Sequence, residues 1–537
     1  MRLKRWSPGR ELSDREEMVM KRLVKTRKLF AFLRTHRHEL FDEAFQVELE
    51  AMYRQSGAGK PATPPAVLAM AVLLQAYMQA SDAEAVELTV VDLRWQLVLD
   101  CMDSRRSLFA QSTLVEFRAR MIRTGMDRRL LERTVELAKS TGAFDSKKLP
   151  RTLHLAVDSS PLEGAGRVED TINLLAHAAR KLLTAAAALV SRSAQDVAHE
   201  AGIPLLLASS PKRALDIDWN DAQQKAGAVG EVVRQIDCLE RWVRRTIAGE
   251  LCAEPPLSEA LATLEQIRSQ DLEPDPGGTG GIRIRKGVAV DRRISIEDAE
   301  MRHGRKSKSK RFNGYKRHIA TQLETRLVLA CAITPANAPE ADAAPALLQD
   351  LERDGRPITE LSIDRGYITS ELVSDVQASG GEVLCKPWAA RNAPGLFTKA
   401  DFKIDMRALT ITCPAGEVEQ IETGEVVEFD PDVCGGCAMR KNCTLAAVEH
   451  GRTINIGEDE RLQHQLRKKQ ATRSGRERLR QRTSVEHSLA HVSQRQGNRA
   501  RYCGARKNLF DLRRTAAIQN LETIHRNLSA LPVALAA

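Results

Sequence analysis

The chain has 537 residues, 42% hydrophobic and 4% aromatic, with 81 Lys and Arg against 71 Asp and Glu, a formal charge of +10. That length allows several domains with buried cores, and the cationic surplus leans towards a polyanionic partner. The opening MRLKRWSPGR lacks the apolar segment of a signal peptide, and the longest apolar stretch, 66–80, is broken by Gln75 and Gln79 and falls short of a membrane span, so a cytoplasmic protein without a membrane partner and with reduced cysteines is expected.

Residues 10–145 read as helical. Thr63-Pro64-Pro65 marks a helix start, because Pro is tolerated in a first turn, and Val67, Leu68, Val72 and Leu73 supply an apolar face. Ser81 with Glu84, and Thr113 with Glu116, have capping-box spacing. The helix after Thr113 would present Arg118, Arg120 and Arg123 before Gly125 stops it. Residues 1–150 therefore form a helical N-terminal domain, read either as DNA-binding or as a plain bundle with a charged outer face.

The run LHLAVD at 153–158 is β-compatible and apolar, a first core strand within 151–168. Asp158 would end it, on the side shared by Ala156 and His154, and His154 reads as a packed strand residue. A helical insertion and linker follow over 169–281. Val229, Val232, Ile236, Leu239, Val243 and Ile247 recur every three or four residues as a core seam, and EPDPGGTGG at 273–281 reads as the linker. Over 282–389, strands at 315–322 and 327–334, a helix at 341–353, and strands at 361–364 and 382–386 imply a mixed α/β sheet covered by helices. Residues 390–457 form a Cys-rich insertion. Residues 458–537 are C-terminal core helices, with Leu509, Leu512, Ala516, Leu521 and Ile524 docking on the sheet.

Three acidic residues stand in informative frames. Asp158 follows an apolar strand, Asp364 ends LSI before Arg365-Gly366-Tyr367, and Glu486 lies in the helical run RTSVE. Two carboxylates at strand ends and a third on a helix suit a site for two divalent ions and phosphodiester chemistry. Hard Mg²⁺, or Mn²⁺, prefers such oxygens. Each acid alone reads equally well as a solvated side chain. Of ten cysteines, Cys413, Cys434, Cys437 and Cys443 fall in one insertion as C-x20-C-x2-C-x5-C, the donor set of a structural Zn²⁺ site. The alternative is four free thiols in a loop. Two basic runs, RHGRKSKSKRFNGYKRH at 302–318 and RKKQATRSGRERLRQR at 467–482, bracket candidate metal ligands. Lys308, Lys310, Arg311, Lys316, Arg482 and Arg495 are the candidate DNA contacts, since phosphate neutralisation dominates such affinity.

At these residues the chain resembles bacterial insertion-sequence transposases of the DDE class, and among them the group called, in words, insertion sequence eleven-eighty-two. The matching stretches are VDSSPLEGAGRVEDT around Asp158, FNGYKRHIA with ITPAN at 312–337, SIDRGY around Asp364, CPAG with CGGCAMRKNC, and the long stretch from RTSVEH to AAIQNL around Glu486. The likeness spans about residues 40–525. It implies an RNase H-like core, two divalent ions held by Asp158, Asp364 and Glu486 as catalytic acids, and an N-terminal domain that binds transposon ends in double-stranded DNA. It also implies cleavage with strand transfer to target DNA, and a homodimer in the synaptic complex. Related groups carry a Tyr, Arg, Glu, Lys signature on the last catalytic helix. Here Arg482 and Glu486 fit, Leu479 stands at the Tyr position and Ser493 at the Lys position. Arg495, Arg499 or Arg501 would then supply the missing charge. The competing readings are a non-catalytic DNA-binding derivative and a simple metal-dependent nuclease.

Overall fold

The central sheet is built around one long strand. In the computed structural model, which describes residues 4–530 apart from 24, 55–61, 146, 148 and 276–280, six strands form it. They are β1 (Leu153–Glu163), β2 (Arg302–Arg305), β3 (Arg311–Gln322), β4 (Val328–Pro335), β5 (Ile358–Ser362) and β6 (Glu382–Leu384). β1 pairs antiparallel with β3, from Leu155–Gln322 to Glu163–Gly314. On its other side it pairs parallel with β5, but only as far as Ala156–Ser362. β6 continues the parallel half, while β4 and β2 divide the far side of β3 between them. Leu155, Ala156 and Val157 are fully buried, as expected of a strand covered on both faces.

β1 is longer than its apolar run. It continues to Glu163, so Asp158 lies inside the strand and not at its end. The polar residues that follow stay extended because β3 carries their ladder beyond Ala156, with 498–500 alongside at Glu163. β2 was not expected. Its sequence, RHGR, has no apolar alternation, and pairing with 311–314 of β3 imposes the strand, leaving 306–310 as the turn of a basic hairpin. Gly314 is required at the centre. Its φ is +149°, and a Cβ there would fall 2.3 Å from Gly164 N and Leu162 O.

The N-terminal region is helical as expected, with two differences. The helix Pro65–Met78 has no exposed face to balance its apolar one, since Ala69 through Leu74 are all at 0% exposure. It is enclosed between neighbouring helices and the C-terminal helix Ala505–Ala530. Ser81 and Glu84 form their capping box, but Thr113 and Glu116 do not. The helix Gln111–Thr124 begins two residues before Thr113 with Ala110 as an uncapped N-cap, and Glu116 pairs with Arg120 instead. Arg118 is buried against Asp82, not presented to solvent. Gly125, at φ +72°, ends the helix as read.

Ala505–Ala530 packs on β4 with one side and on Pro65–Met78 and Met126–Ser140 with another. Leu512, Ala516, Leu521 and Ile524 are fully buried, with Leu509 partly so. The core is therefore continuous across residue 150. The insertion after β1 has a separate core in which Val229, Val232, Ile236, Leu239 and Val243 are buried. The expected linker is partly strand: Leu272–Pro274 pairs with Ile282–Ile284, while 276–280 lie outside the described residues. The Cys-rich insertion has a third small core around Phe402, Ile411, Phe429 and Ile456.

One buried cation ties the main core together. Arg513, on the C-terminal helix, donates to Asp127 at 2.9 Å and to Asp350 at 2.6 Å. Asp127 opens a helix of the N-terminal region, and Asp350 also accepts the β4 amide of Cys331 at 3.0 Å. Arg513→Met leaves Asp350 out of water without its ion-pair partner, while Asp127 keeps Arg506. It is expected to cost about 3–5 kcal/mol, read as a lower urea midpoint at unchanged slope.

Candidate active site

Asp158 and Asp364 are brought level by the parallel register. Ala156 faces Ser362 in the last rung shared by β1 and β5, and each acid lies two residues beyond it. Asp364 Oδ1 then accepts the amide of Arg365 at 2.7 Å, fixing the turn that leaves β5. Glu486 arrives from a third direction, on the helix Thr483–Gln496, which packs across β1 through buried Val485, Leu489 and Val492. All three acids line one cleft.

A guanidinium spans two of them. Arg482 Nη1 lies 3.3 Å from Asp158 Oδ2, and Nη2 lies 2.6 Å from Glu486 Oε1. The Asp158 side chain is only 16% exposed. Burial pushes its carboxyl above the usual range, with Asp364 and Glu486 adding to the effect, while the Ser159 amide and Arg482 oppose it. Glu486 is half-exposed. Among the described residues, no three Asp, Glu, His or Cys side chains are drawn into a closed coordination shell. The donor chemistry of the cleft nonetheless fits a hard divalent cation, since its acids offer carboxylate oxygens and no sulfur.

The four clustered cysteines converge as their spacing implies. Cys413, Cys434, Cys437 and Cys443 line a single cavity of about 30 Å³. Burial raises the Cys443 thiol, and the other three thiols add to the rise against Arg452. Their sulfurs share a neighbourhood without closing into a shell.

The basic candidates separate into three kinds. Lys316 and Arg482 line the cleft, joined by Arg305 and Lys306 from the hairpin. Lys308, Lys310 and Arg311 are exposed on the same hairpin outside the cleft wall. Arg495 is not at the cleft. It pairs with Glu522 and stacks 5.4 Å over the Tyr77 ring, joining three helices. Nor do Arg499 and Arg501 supply the charge absent at Ser493. They donate to Ala165 O, and to Ala80 O and Gln79 O. The cause is the chain path. Gly497 ends the helix, and 498–500 then run beside the end of β1, with Glu163 N bonded to Asn498 O and Ala500 N to Glu163 O. Ser493 lies 3.2 Å from Ser160 across the cleft.

Arg305 and Lys306 belong to the basic run 302–318 read from the sequence but were not among its named DNA contacts, and Glu340 was missed. Glu340 lies in the polar loop APEAD after β4, where nothing distinguishes it from a solvated acid.

Comparison with protein families decides the identity. Residues 282–521 match the Transposase DDE domain, and residues 21–120 match a Transposase domain (DUF772). The chain belongs to the DDE transposases. No curated protein and no solved structure matches it. The DDE match includes Asp364 and Glu486 and begins beyond Asp158, on the far side of the helical insertion. The strand order, with β3 antiparallel to β1 and β5 and β6 parallel to it, is the RNase H-like arrangement that this domain implies. DDE transposases act on DNA by phosphodiester cleavage and strand transfer, normally with divalent metal ions. Among the described residues no single helix is long and apolar enough to cross a membrane.

Proposed function

We propose that this transposase cuts at the terminal repeats of an element of the insertion sequence eleven-eighty-two group, using Asp158, Asp364 and Glu486 as its catalytic acids. The observation that carries the reading is their convergence in one cleft, Asp158 from within β1, Asp364 from just beyond the end of β5 and Glu486 from a helix. A pair of Mg²⁺ or Mn²⁺ ions bound there supplies activation of a hydroxyl and stabilisation of the leaving oxygen. The three acids are the oxygen donors for those ions. Arg305, Lys306 and Lys316 hold the DNA backbone at the cleft wall, and Lys308, Lys310 and Arg311 extend that contact along the hairpin. Arg482, which neutralises Asp158 and Glu486, would be free to meet a phosphate if those acids held divalent ions. The hydroxyl of water attacks phosphorus at the cutting step, and the freed 3′-hydroxyl attacks target DNA at the joining step. One P–O bond forms as another breaks, and no covalent protein intermediate is needed. Two copies bring two ends together in the synaptic complex, in the cytoplasm at the nucleoid. The four insertion cysteines hold one structural Zn²⁺, and the N-terminal helices bind the ends.

Asp158→Asn, Asp364→Asn and Glu486→Gln are each expected to lower cleavage by more than about 100-fold, the upper range seen for loss of even an outer partner of a metal ligand. End binding, read by gel shift, stays within a few-fold. Cleavage at the wild-type rate by Asp364→Asn rules out the assignment.

Purified protein is expected to carry about one zinc per chain. Cys434→Ser loses it and makes 390–457 sensitive to proteolysis, because metal binding there is folding free energy. Elemental analysis without zinc in freshly purified, folded protein counts against the site.

Replacing Lys308, Lys310 and Arg311 together by Ala weakens DNA binding irrespective of sequence. It also flattens the salt dependence by about 0.9 in log–log slope per lost phosphate contact. An unchanged slope in a folded triple variant makes the turn a solvated loop.

A further inference from the structure

We infer that Glu340 is a positioning residue of the catalytic site, a strut that holds β1 at Asp158 against the turn carrying Asp364 by way of the Ser159 hydroxyl. The inference rests on the reading of those two acids as catalytic.

Glu340 uses its two oxygens in two directions. Oε1 accepts the hydroxyl of Ser159, the residue next to Asp158, whose own amide donates to Asp158 Oδ1 at 2.8 Å. Oε2 lies over Gly366 so closely that a Cβ at that position would fall 1.9 Å from it. One carboxylate thus touches the strand of the first acid and the turn of the second. It has no ordinary local task. Glu340 opens the short 3₁₀ turn Glu340–Ala343, whose N-cap is Pro339 and which has no side-chain cap. Among the described residues it forms no ion pair, although Lys316 and Lys306 line the same cleft.

Ser159 is also held from below. The Tyr367 hydroxyl contacts it and lies 2.6 Å from Nδ1 of His318, whose Nε2 meets the Thr334 hydroxyl at 2.9 Å. His318 is the β3 partner of Ser159 in the ladder. Complete burial pushes it down to about 3, so this chain of contacts is neutral. Clamped between a neutral buried relay and an acceptor above, Ser159 fixes the backbone from which the Asp158 carboxylate projects. The work of Glu340 is to accept a hydrogen bond. Glu340→Gln keeps an acceptor oxygen and Glu340→Ala does not, which separates a strut from a direct metal ligand.

The test compares Glu340→Ala, Glu340→Gln, Ser159→Ala and Asp158→Asn in the full chain. The readouts are end cleavage across a Mg²⁺ series, Mn²⁺ binding by calorimetry, and thermal melting. Glu340→Ala and Ser159→Ala are expected to lose about 10–100-fold in cleavage and in Mn²⁺ affinity, the range for outer partners of metal ligands. End binding and melting stay near wild type, and Glu340→Gln stays within a few-fold of wild type throughout. Wild-type Mn²⁺ affinity and cleavage in both Glu340→Ala and Ser159→Ala, with Asp158→Asn inactive, overturns this inference alone. Glu340→Gln as damaged as Glu340→Ala also overturns it, because charge and not hydrogen bonding is then what matters. Normal cleavage by Asp158→Asn overturns the catalytic reading and the strut with it.

Discussion

Carboxylates repel one another, and the parallel pairing of β1 with β5 is what forces two of them to one level. Because the ladder stops at Ala156–Ser362, both chains run on past their last shared rung, and the acids two residues later share an open edge of the sheet. The open edge is also what admits a third element. Burial, with the neighbouring acids adding to it, raises the Asp158 carboxyl, and Arg482 offsets part of that by spanning Asp158 and Glu486.

That sheet is kept in register by packing from far away in the chain. The C-terminal helix lies between β4 and the N-terminal helices, and its Arg513 joins carboxylates from both sides in a buried cluster. Large insertions are tolerated because of where they leave. The chain departs the sheet at Glu163 and returns at Arg302, and both residues pair with Gly314 from opposite sides. The ends of the insertion are therefore one strand to either side of a single residue, so the insertion can fold on its own core without pulling the sheet apart. The Cys-rich insertion follows the same logic after β6.

The same geometry couples the insertion to function. Its return point is β2, and β2 with β3 makes the hairpin that places Arg305 and Lys306 on the cleft wall.

Much was legible without a structure. β4 announces itself by apolar, β-branched composition, the Ser81 cap by spacing, the seam at 229–247 by period, and the thiol cluster by its CxxC. Asp158 and Asp364 draw notice because each closes an apolar run, whereas Glu486 alone reads as well as a solvated side chain. These are local signals, carried by a few adjacent residues. What the tertiary structure alone decided is everything that depends on the residue opposite. β2 is a strand because β3 offers it a ladder. Pro65–Met78 is buried all round because another helix lies 440 residues on in sequence. Arg495 serves packing and not the cleft because Gly497 turns the chain towards β1. Glu340 becomes a strut only because Ser159 and Gly366 meet across the sheet edge. Propensity and periodicity act between neighbours in sequence, whereas hydrogen-bond partners, burial and charge pairing act between neighbours in space, and only folding makes the second set known.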